Sequence, residues 1–208
     1  MKQNITLKRA ILITTTLAFI LLVKAQAGDT YGVKPEDVVE STHTDNIYVF
    51  EKVADNFKNQ RDQLSSNLLK VFQDKSLSNL NRCAAAYYLG EIRSSETADV
   101  LASDIALQFD KSQIKIKHLI IINIPAYPVM DALIKIGSPS IPAMIRNLTE
   151  NDDVQIRNLS LKVLCRIDGD KDIVQLRLQK ALAAEKDPEI QARLQTALKM
   201  LGEVSFGA

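Results

Sequence analysis

The side chains best suited to catalysis or metal binding are few in this 208-residue chain, and they do not cluster. Its two histidines are His43 and His118, and its two cysteines are Cys83 and Cys165. A zinc site needs three or four such ligands brought together, usually from residues at short, characteristic spacings. No such spacing occurs, and the sequence contains no phosphate-binding, nucleophile-elbow or zinc-protease motif. We therefore expect structural or solvated histidines, and we predict a chain that is not an enzyme, with no catalytic residue, metal ion or cofactor.

Residues 1–27 have the pattern of a secretory signal peptide. Three basic residues precede the apolar segment Ile11–Val23, and Ala25-Gln26-Ala27 supplies the small residues of a cleavage site. An uncleaved membrane anchor is the alternative, but the apolar segment is shorter than the ~20 residues that a bilayer-spanning helix needs. We expect cleavage after Ala27 and export to the periplasm or the extracellular space, with no stable membrane insertion afterwards.

Removal of this signal peptide changes the charge balance of the chain. The whole sequence has 26 basic and 25 acidic residues, which gives a formal net charge of +1. Four of the basic residues and none of the acidic ones lie in the signal peptide, so the mature chain has a net charge of −3. A mildly acidic chain with mixed charges has no broad electrostatic attraction for nucleic acid or anionic membrane. We therefore expect neither of these as a partner.

The clearest structural unit is the segment Met130–Leu148, which predicts two helices joined by a tight turn. Apolar residues recur at helical spacing on both sides of Gly137. Gly137 favours a left-handed stop, Ser138 a helix cap and Pro139 a first helical position. One hairpin of this kind cannot bury both of its apolar stripes, so copies of it are expected to stack.

Related hairpins precede and follow this unit. Corresponding apolar positions recur at intervals close to the periods of helical repeats. These positions are Leu89, Leu133, Leu164 and Leu198. We predict a polar lead-in over residues 28–44, followed by a helical domain over residues 45–208 that contains about four hairpins and a terminal helix.

One of these intervals carries an irregular insertion over residues 110–125. Within it, Ile114-Lys115-Ile116-Lys117 alternates between apolar and basic side chains, and a β-branched apolar run follows. Alternation and β-branched residues are typical of strands rather than helices. The sequence therefore predicts a short extended or β segment at residues 112–124.

Three segments of the sequence carry motifs that indicate a family resemblance. They are Arg82-x-x-Ala85-Ala86-x-x-Leu89-Gly90-x-Ile92, Ala132-Leu133-x-Lys135-Ile136-Gly137 with Pro142, and Asp153-x-x-x-Arg157. The chain from residue 79 to residue 202 resembles the HEAT-repeat proteins of the armadillo type, particularly the short bacterial HEAT-like repeats. The resemblance implies an all-α fold, a right-handed α-solenoid of stacked helical hairpins. In that family the first helix of each pair forms the convex face and the second lines the concave face.

The resemblance also implies a ladder of Asp and Arg residues between neighbouring repeats. Asp153 and Arg157 match both ladder positions. At other repeats one partner is missing, because Ser78 stands where an Asp would precede Arg82, and Gln191 stands where an Arg would follow Asp187. In the repeat after the insertion, Ala126 replaces the Arg. We therefore expect a ladder that is broken at both ends.

The two cysteines are placed on the first helices of hairpins two repeats apart. At ~8–10 Å per packed helix, their Cα atoms would lie ~20 Å apart, well beyond the ~7 Å limit for a disulfide. We predict two buried thiols rather than a disulfide, even in an oxidising compartment.

Seven residues are candidates for binding a partner. Six of them are polar positions outside the apolar stripes of the second helices, and they would face the concave groove if the family geometry holds. The seventh is an aromatic residue just after the insertion, where it could act as an anchor. The candidates are Asp99, Ser103, Arg146, Asn147, Gln175, Gln179 and Tyr127. For each polar position, a plain solvated surface is the alternative interpretation.

The sequence as a whole predicts a non-enzymatic scaffold that binds a protein partner and is itself a monomer. Repeat architecture without a catalytic constellation is the reason for this prediction. Two alternatives stay open. One is an enzyme-associated or lyase-like role, since some HEAT-like proteins act on covalently bound chromophores. The other is a structural part of an envelope complex.

Overall fold

The computed structural model describes residues 61–110 and 124–203, which all belong to a compact unit spanning residues 35–208. The predicted signal peptide, the lead-in and the predicted extended segment lie outside the described residues, apart from Ile124. The same holds for His43 and His118, so the predictions for these parts stay predictions.

Regular structure in the described ranges is entirely helical, which confirms the predicted all-α class for this part of the chain. The helices are α1 Arg61–Gln73, α2 Asn79–Glu91, α3 Ala98–Ser103, α4 Pro128–Ile136, α5 Ile141–Glu150, α6 Val154–Asp168, α7 Lys171–Ala184 and α8 Pro188–Glu203. Short 3-10 turns, Ser95–Thr97 and Ser138–Ser140, lead into α3 and α5.

The α4–α5 hairpin has the predicted helices, with a turn that differs in detail. Gly137 ends α4 at φ 81°, a backbone conformation that an L side chain rarely adopts. Ser138 is the first residue of the 3-10 turn rather than the residue before a helix, so it does not occupy the predicted cap position. The buried hydroxyl of Ser140 instead donates to the carbonyl of Leu133 at 3.0 Å, which ties the turn to the preceding helix.

The α6–α7 hairpin follows its local sequence signals closely. Asp153 caps α6 by accepting a hydrogen bond from the N–H of Gln155 at 2.7 Å. Gly169 ends α6 in the left-handed conformation at φ 66°, and Asp170 then caps α7 through the N–H of Asp172. These are the standard solutions for the unpaired backbone groups at helix ends.

Helix α3 is shorter than the sequence predicts. Ala98, Leu101, Ile105 and Leu107 recur at helical spacing, which predicts a helix that continues through Leu107, but α3 ends at Ser103. Asp104 leaves the helical conformation at φ −118° and forms an ion pair with the buried Arg82 at the start of α2. Arg82 also donates from Nε to the carbonyl of Phe72 at 2.8 Å, so it joins the ends of three helices.

The first helices of successive hairpins pack side by side. Helix α2 packs against α1 and α4, and α4 packs in turn against α6. The α2–α4 contact is close because Gly90 faces Ala132: a Cβ atom added at Gly90 would lie 2.6 Å from the Cα of Ala132. The second helices α3 and α5 also pack against each other. This arrangement is compatible with stacked hairpins.

The last helix departs from a regular stack. Helix α8 packs against α7 and α5, and only slightly against α6, which is the helix that a regular repeat would have it follow. Helices α5 to α8 therefore form a ring, in which each packs against the next and α8 packs back on α5.

Candidate partner-binding surface

Helices α3 and α5 bring two of the predicted binding residues together. The Nη2 atom of Arg146 lies 2.6 Å from a carboxylate oxygen of Asp99. Both side chains stay accessible, with exposed fractions of 46% for Arg146 and 68% for Asp99. An ion pair this exposed contributes little to stability, so its charges remain available to a partner.

Asn147 fixes the position of α5 beneath this ion pair. Its Nδ2 atom donates to the carbonyl of Ala102 on α3 at 3.0 Å and to the hydroxyl of Ser160 on α6 at 3.2 Å. Ser160 is fully buried and Asn147 is half-buried. Because its amide N–H groups are used within the fold, we assign Asn147 to positioning the surface rather than to contacting a partner.

Ser103 is exposed at the end of α3. Its hydroxyl donates only to the carbonyl of Val100 in the same helix, at 2.7 Å. Within residues 61–110 and 124–203, the Ser103 side chain therefore makes no hydrogen bond to another helix, and it presents a small polar group beside Asp99 on α3. We name the exposed residues Asp99, Ser103 and Arg146 the α3–α5 surface.

Gln175 and Gln179 are exposed on α7, as the sequence predicts for residues outside the apolar stripe. However, α7 packs principally against α6 and α8. The structure therefore does not join these glutamines to the α3–α5 surface, and the seven predicted residues do not form one continuous groove of second helices.

Tyr127 lies at the start of α4, where it is half-buried. Its hydroxyl accepts a hydrogen bond from Nε2 of Gln108 at 3.1 Å. Next to it, the N–H of Phe109 donates to the carbonyl of Ala126 at 2.9 Å. These bonds join residues 108–109 to residues 126–127 on the two sides of the insertion, so the Tyr127 hydroxyl is already used within the fold.

The contacts of Arg157 and Arg193 differ from the expected Asp–Arg ladder. Arg157 donates from Nη1 to the carbonyls of Asn151 and Asp152, and among the described residues it forms no ion pair with an Asp of a neighbouring repeat. Arg193, which the family pattern does not single out, forms a 2.7 Å ion pair with Asp152. The hydrogen bonds that Arg193 makes to the carboxylates of Asp152 and Glu189 raise the pKa of Arg193.

A shallow groove of about 320 Å³ lies at this joint between the α5–α6 loop and α8. Its lining residues are Asp152, Arg157, Glu189, Ala192, Arg193 and Thr196. Arg193 also donates to the carbonyls of Thr149 and Asn151. Because the cationic groups are already paired with groups of the chain itself, we assign the groove to the attachment of α8.

Both cysteines are free and buried, as the sequence predicts. Burial raises the pKa of the Cys83 thiol to about 11, although the nearby Arg82 lowers it slightly. Burial and, next, the carboxylate of Asp168 raise the pKa of Cys165. A thiol with a raised pKa is a poor nucleophile at neutral pH.

The described part of the chain holds no group of three or more His, Cys, Asp or Glu side chains placed to bind a metal ion. Over the same residues, no helix has the length and apolar character required to cross a bilayer. Two features that matter here have no signal in the sequence: the pairing of Arg193 with Asp152 and the exposure of the apolar residues on α7.

No family model matches the chain, and no curated protein or solved structure is detectably similar to it. The resemblance to HEAT repeats thus rests on the quoted sequence motifs alone.

Proposed function

We propose that the chain is an exported, non-enzymatic module that binds a protein partner through the α3–α5 surface. In this proposal the hairpins form a right-handed HEAT-like solenoid, which α8 closes at its far end. The observation that carries the proposal is the pair of neighbouring helices that expose Asp99, Ser103 and Arg146 while Asn147 fixes their spacing. A surface that is ordered before binding loses less conformational entropy when its partner arrives.

The chemistry of this surface favours a protein over a nucleic acid. Asp99 and Arg146 place opposite charges next to each other, so the surface has no single-sign field for a phosphate backbone. Adjacent opposite charges instead suit a partner with a complementary pair, for which they set orientation and association rate more than affinity.

Export is the second part of the proposal, and the signal-peptide pattern of residues 1–27 supports it. Intact-mass measurement of the protein recovered from the periplasm or medium of its own cells tests this part. We expect a chain that begins at Gly28. Recovery of the uncut chain from the cytosol alone would contradict export.

A reversed ion pair tests the binding surface. The double variant Asp99→Arg with Arg146→Asp keeps an attractive pair between α3 and α5 but exchanges the charges that a partner meets. We expect an unchanged melting temperature and at least a tenfold loss of affinity, which corresponds to about 1.4 kcal/mol. The measurement is capture of envelope proteins by the tagged full chain, followed by titration of the captured partner.

The control for this experiment is Lys162→Glu, a charge reversal at an exposed position on α6. This variant should capture the partner as the wild type does. Equal capture by the wild type and the reversed-pair variant would show that the α3–α5 surface does not bind the partner.

A further inference from the structure

Helix α7 carries exposed apolar side chains that the protein-binding proposal does not use. Val174 and Leu178 are fully buried on the side of α7 that packs within the ring of helices. On the other side, Leu176 is 66% exposed and Ile173 is 43% exposed. Large apolar residues exposed to this degree are few in the described part of the chain, and these two lie one helical turn apart. The outward side of α7 therefore has an apolar centre.

Two opposite charges flank Leu176 at equal distances along the helix. Asp172 precedes it by one turn and Lys180 follows it by one turn, and both are exposed. A spacing of four residues places all three side chains on the same side of a helix. In the residues that the structure describes, neither charge takes part in an ion pair, although other charges of this region do, such as Arg177 with Asp168.

We propose that a second copy of this chain docks on this side of α7, with the two α7 helices antiparallel and a two-fold axis passing beside Leu176. A two-fold interface must be complementary to itself. In this arrangement Leu176 packs on the Leu176 of the second copy, and Asp172 lies opposite Lys180 of the second copy. The symmetry creates this ion pair twice. Helix axes that pack ~8–10 Å apart bring such opposed side chains within reach of each other.

The size of the contact sets its strength. One pair of short helices buries far less than the ~1,200 Å² or more of a stable interface, so the dimer is weak and forms only at high concentration. The monomer expected from the sequence is then the form present in dilute solution. The charge arrangement argues for a second copy over an unrelated helix, because α7 supplies both halves of the complementary pattern.

Sedimentation of the full mature chain over a concentration series, from about 10 µM to about 1 mM, tests the proposal in the range where weak interfaces dissociate. We expect the wild type to shift from monomer to dimer. Leu176→Glu should stay monomeric throughout, with an unchanged melting temperature because the side chain is exposed. The matched control is Val154→Glu at the start of α6, which alters another exposed apolar side chain (57% exposed) and should dimerise as the wild type does.

Charge variants test the register of the two helices. Asp172→Lys and Lys180→Asp should each weaken dimerisation at least tenfold, because each places like charges opposite each other. An equimolar mixture of the two variants should dimerise again, since both pairs are then attractive. A wild type that stays monomeric at every concentration would overturn the proposal, and so would a dimer that Leu176→Glu leaves intact or a mixture that fails to reassociate.

Discussion

A single side-chain amide, that of Asn147, sets the distance between three helices. It donates to a backbone carbonyl on α3 and to a buried hydroxyl on α6. We predict that Asn147→Ala lowers the free energy of unfolding by about 1–3 kcal/mol, because it leaves these two acceptors without their donor. Urea denaturation measures the change. Ser103→Ala is the control and should alter stability by less than about 0.5 kcal/mol, since its hydroxyl bonds only within its own helix.

The buried Cys83 thiol makes the free energy of unfolding depend on pH in the alkaline range. Its pKa is raised from 9.0 to about 11 by burial, so the folded chain keeps the thiol protonated at a pH where the unfolded chain ionises it. The contribution of the protonated thiol to the free energy of unfolding is therefore fully present below pH 9 and is lost as the pH rises towards about 11. We predict that stability falls more steeply in this window for the wild type than for Cys83→Ala, by up to about 1.4 kcal/mol per pH unit.

Urea denaturation at several pH values between neutrality and pH 10.5 provides this comparison. Other groups also titrate in this range, but they are common to both proteins and cancel in the difference. Parallel stability curves for the wild type and Cys83→Ala would show that the buried thiol has no such effect.

At the scale of helices, α2 and α4 pack closely where Gly90 faces Ala132. A Cβ at Gly90 would approach the Cα and Cβ of Ala132 to 2.6 Å and 2.9 Å, so the two helices would have to separate. We predict that Gly90→Ala lowers the free energy of unfolding by about 1–3 kcal/mol, although alanine is the better helix former. Thermal denaturation measures it.

The control for this prediction is Gly202→Ala near the end of α8, where a Cβ would meet no atom within 4 Å. This change should leave stability unaltered or raise it by less than about 1 kcal/mol. If both alanine variants behaved alike, the close α2–α4 contact would not be present in solution.

Helix ends were predictable from the sequence where local chemistry decides them. Gly137 and Gly169 both adopt positive φ, and Asp153 caps its helix, because these residue types solve the problem of unpaired backbone groups without help from distant parts of the chain. The early end of α3 at Ser103 could not be predicted in this way. It depends on the ion pair between Asp104 and Arg82, which are 22 residues apart.

At the scale of the whole molecule, the choice of neighbours was the part that the sequence left open. Apolar periodicity indicates that a helix has a buried side, but not which helix covers it. Helix α8 buries Leu194, Ala197 and Leu201, and Arg193 joins it to the end of α5 by binding Asp152 and the carbonyls of Thr149 and Asn151, more than 40 residues earlier in the chain. The seven predicted binding residues do not form one site because the sequence does not show which helices are neighbours. Gln175 and Gln179 lie on α7, which packs principally against α6 and α8 rather than beside the α3–α5 surface.

The central claim is that the α3–α5 surface contacts a protein partner outside the cytoplasm. Photo-crosslinking in intact cells tests it most directly, with a photoreactive amino acid placed at Ser103 and, as the control, at Lys162 on α6. Both positions are exposed, so neither replacement should disturb folding. We predict an adduct with one defined envelope protein from position 103 and none from position 162. The absence of an adduct at position 103, or the same adduct from both positions, would contradict the claim.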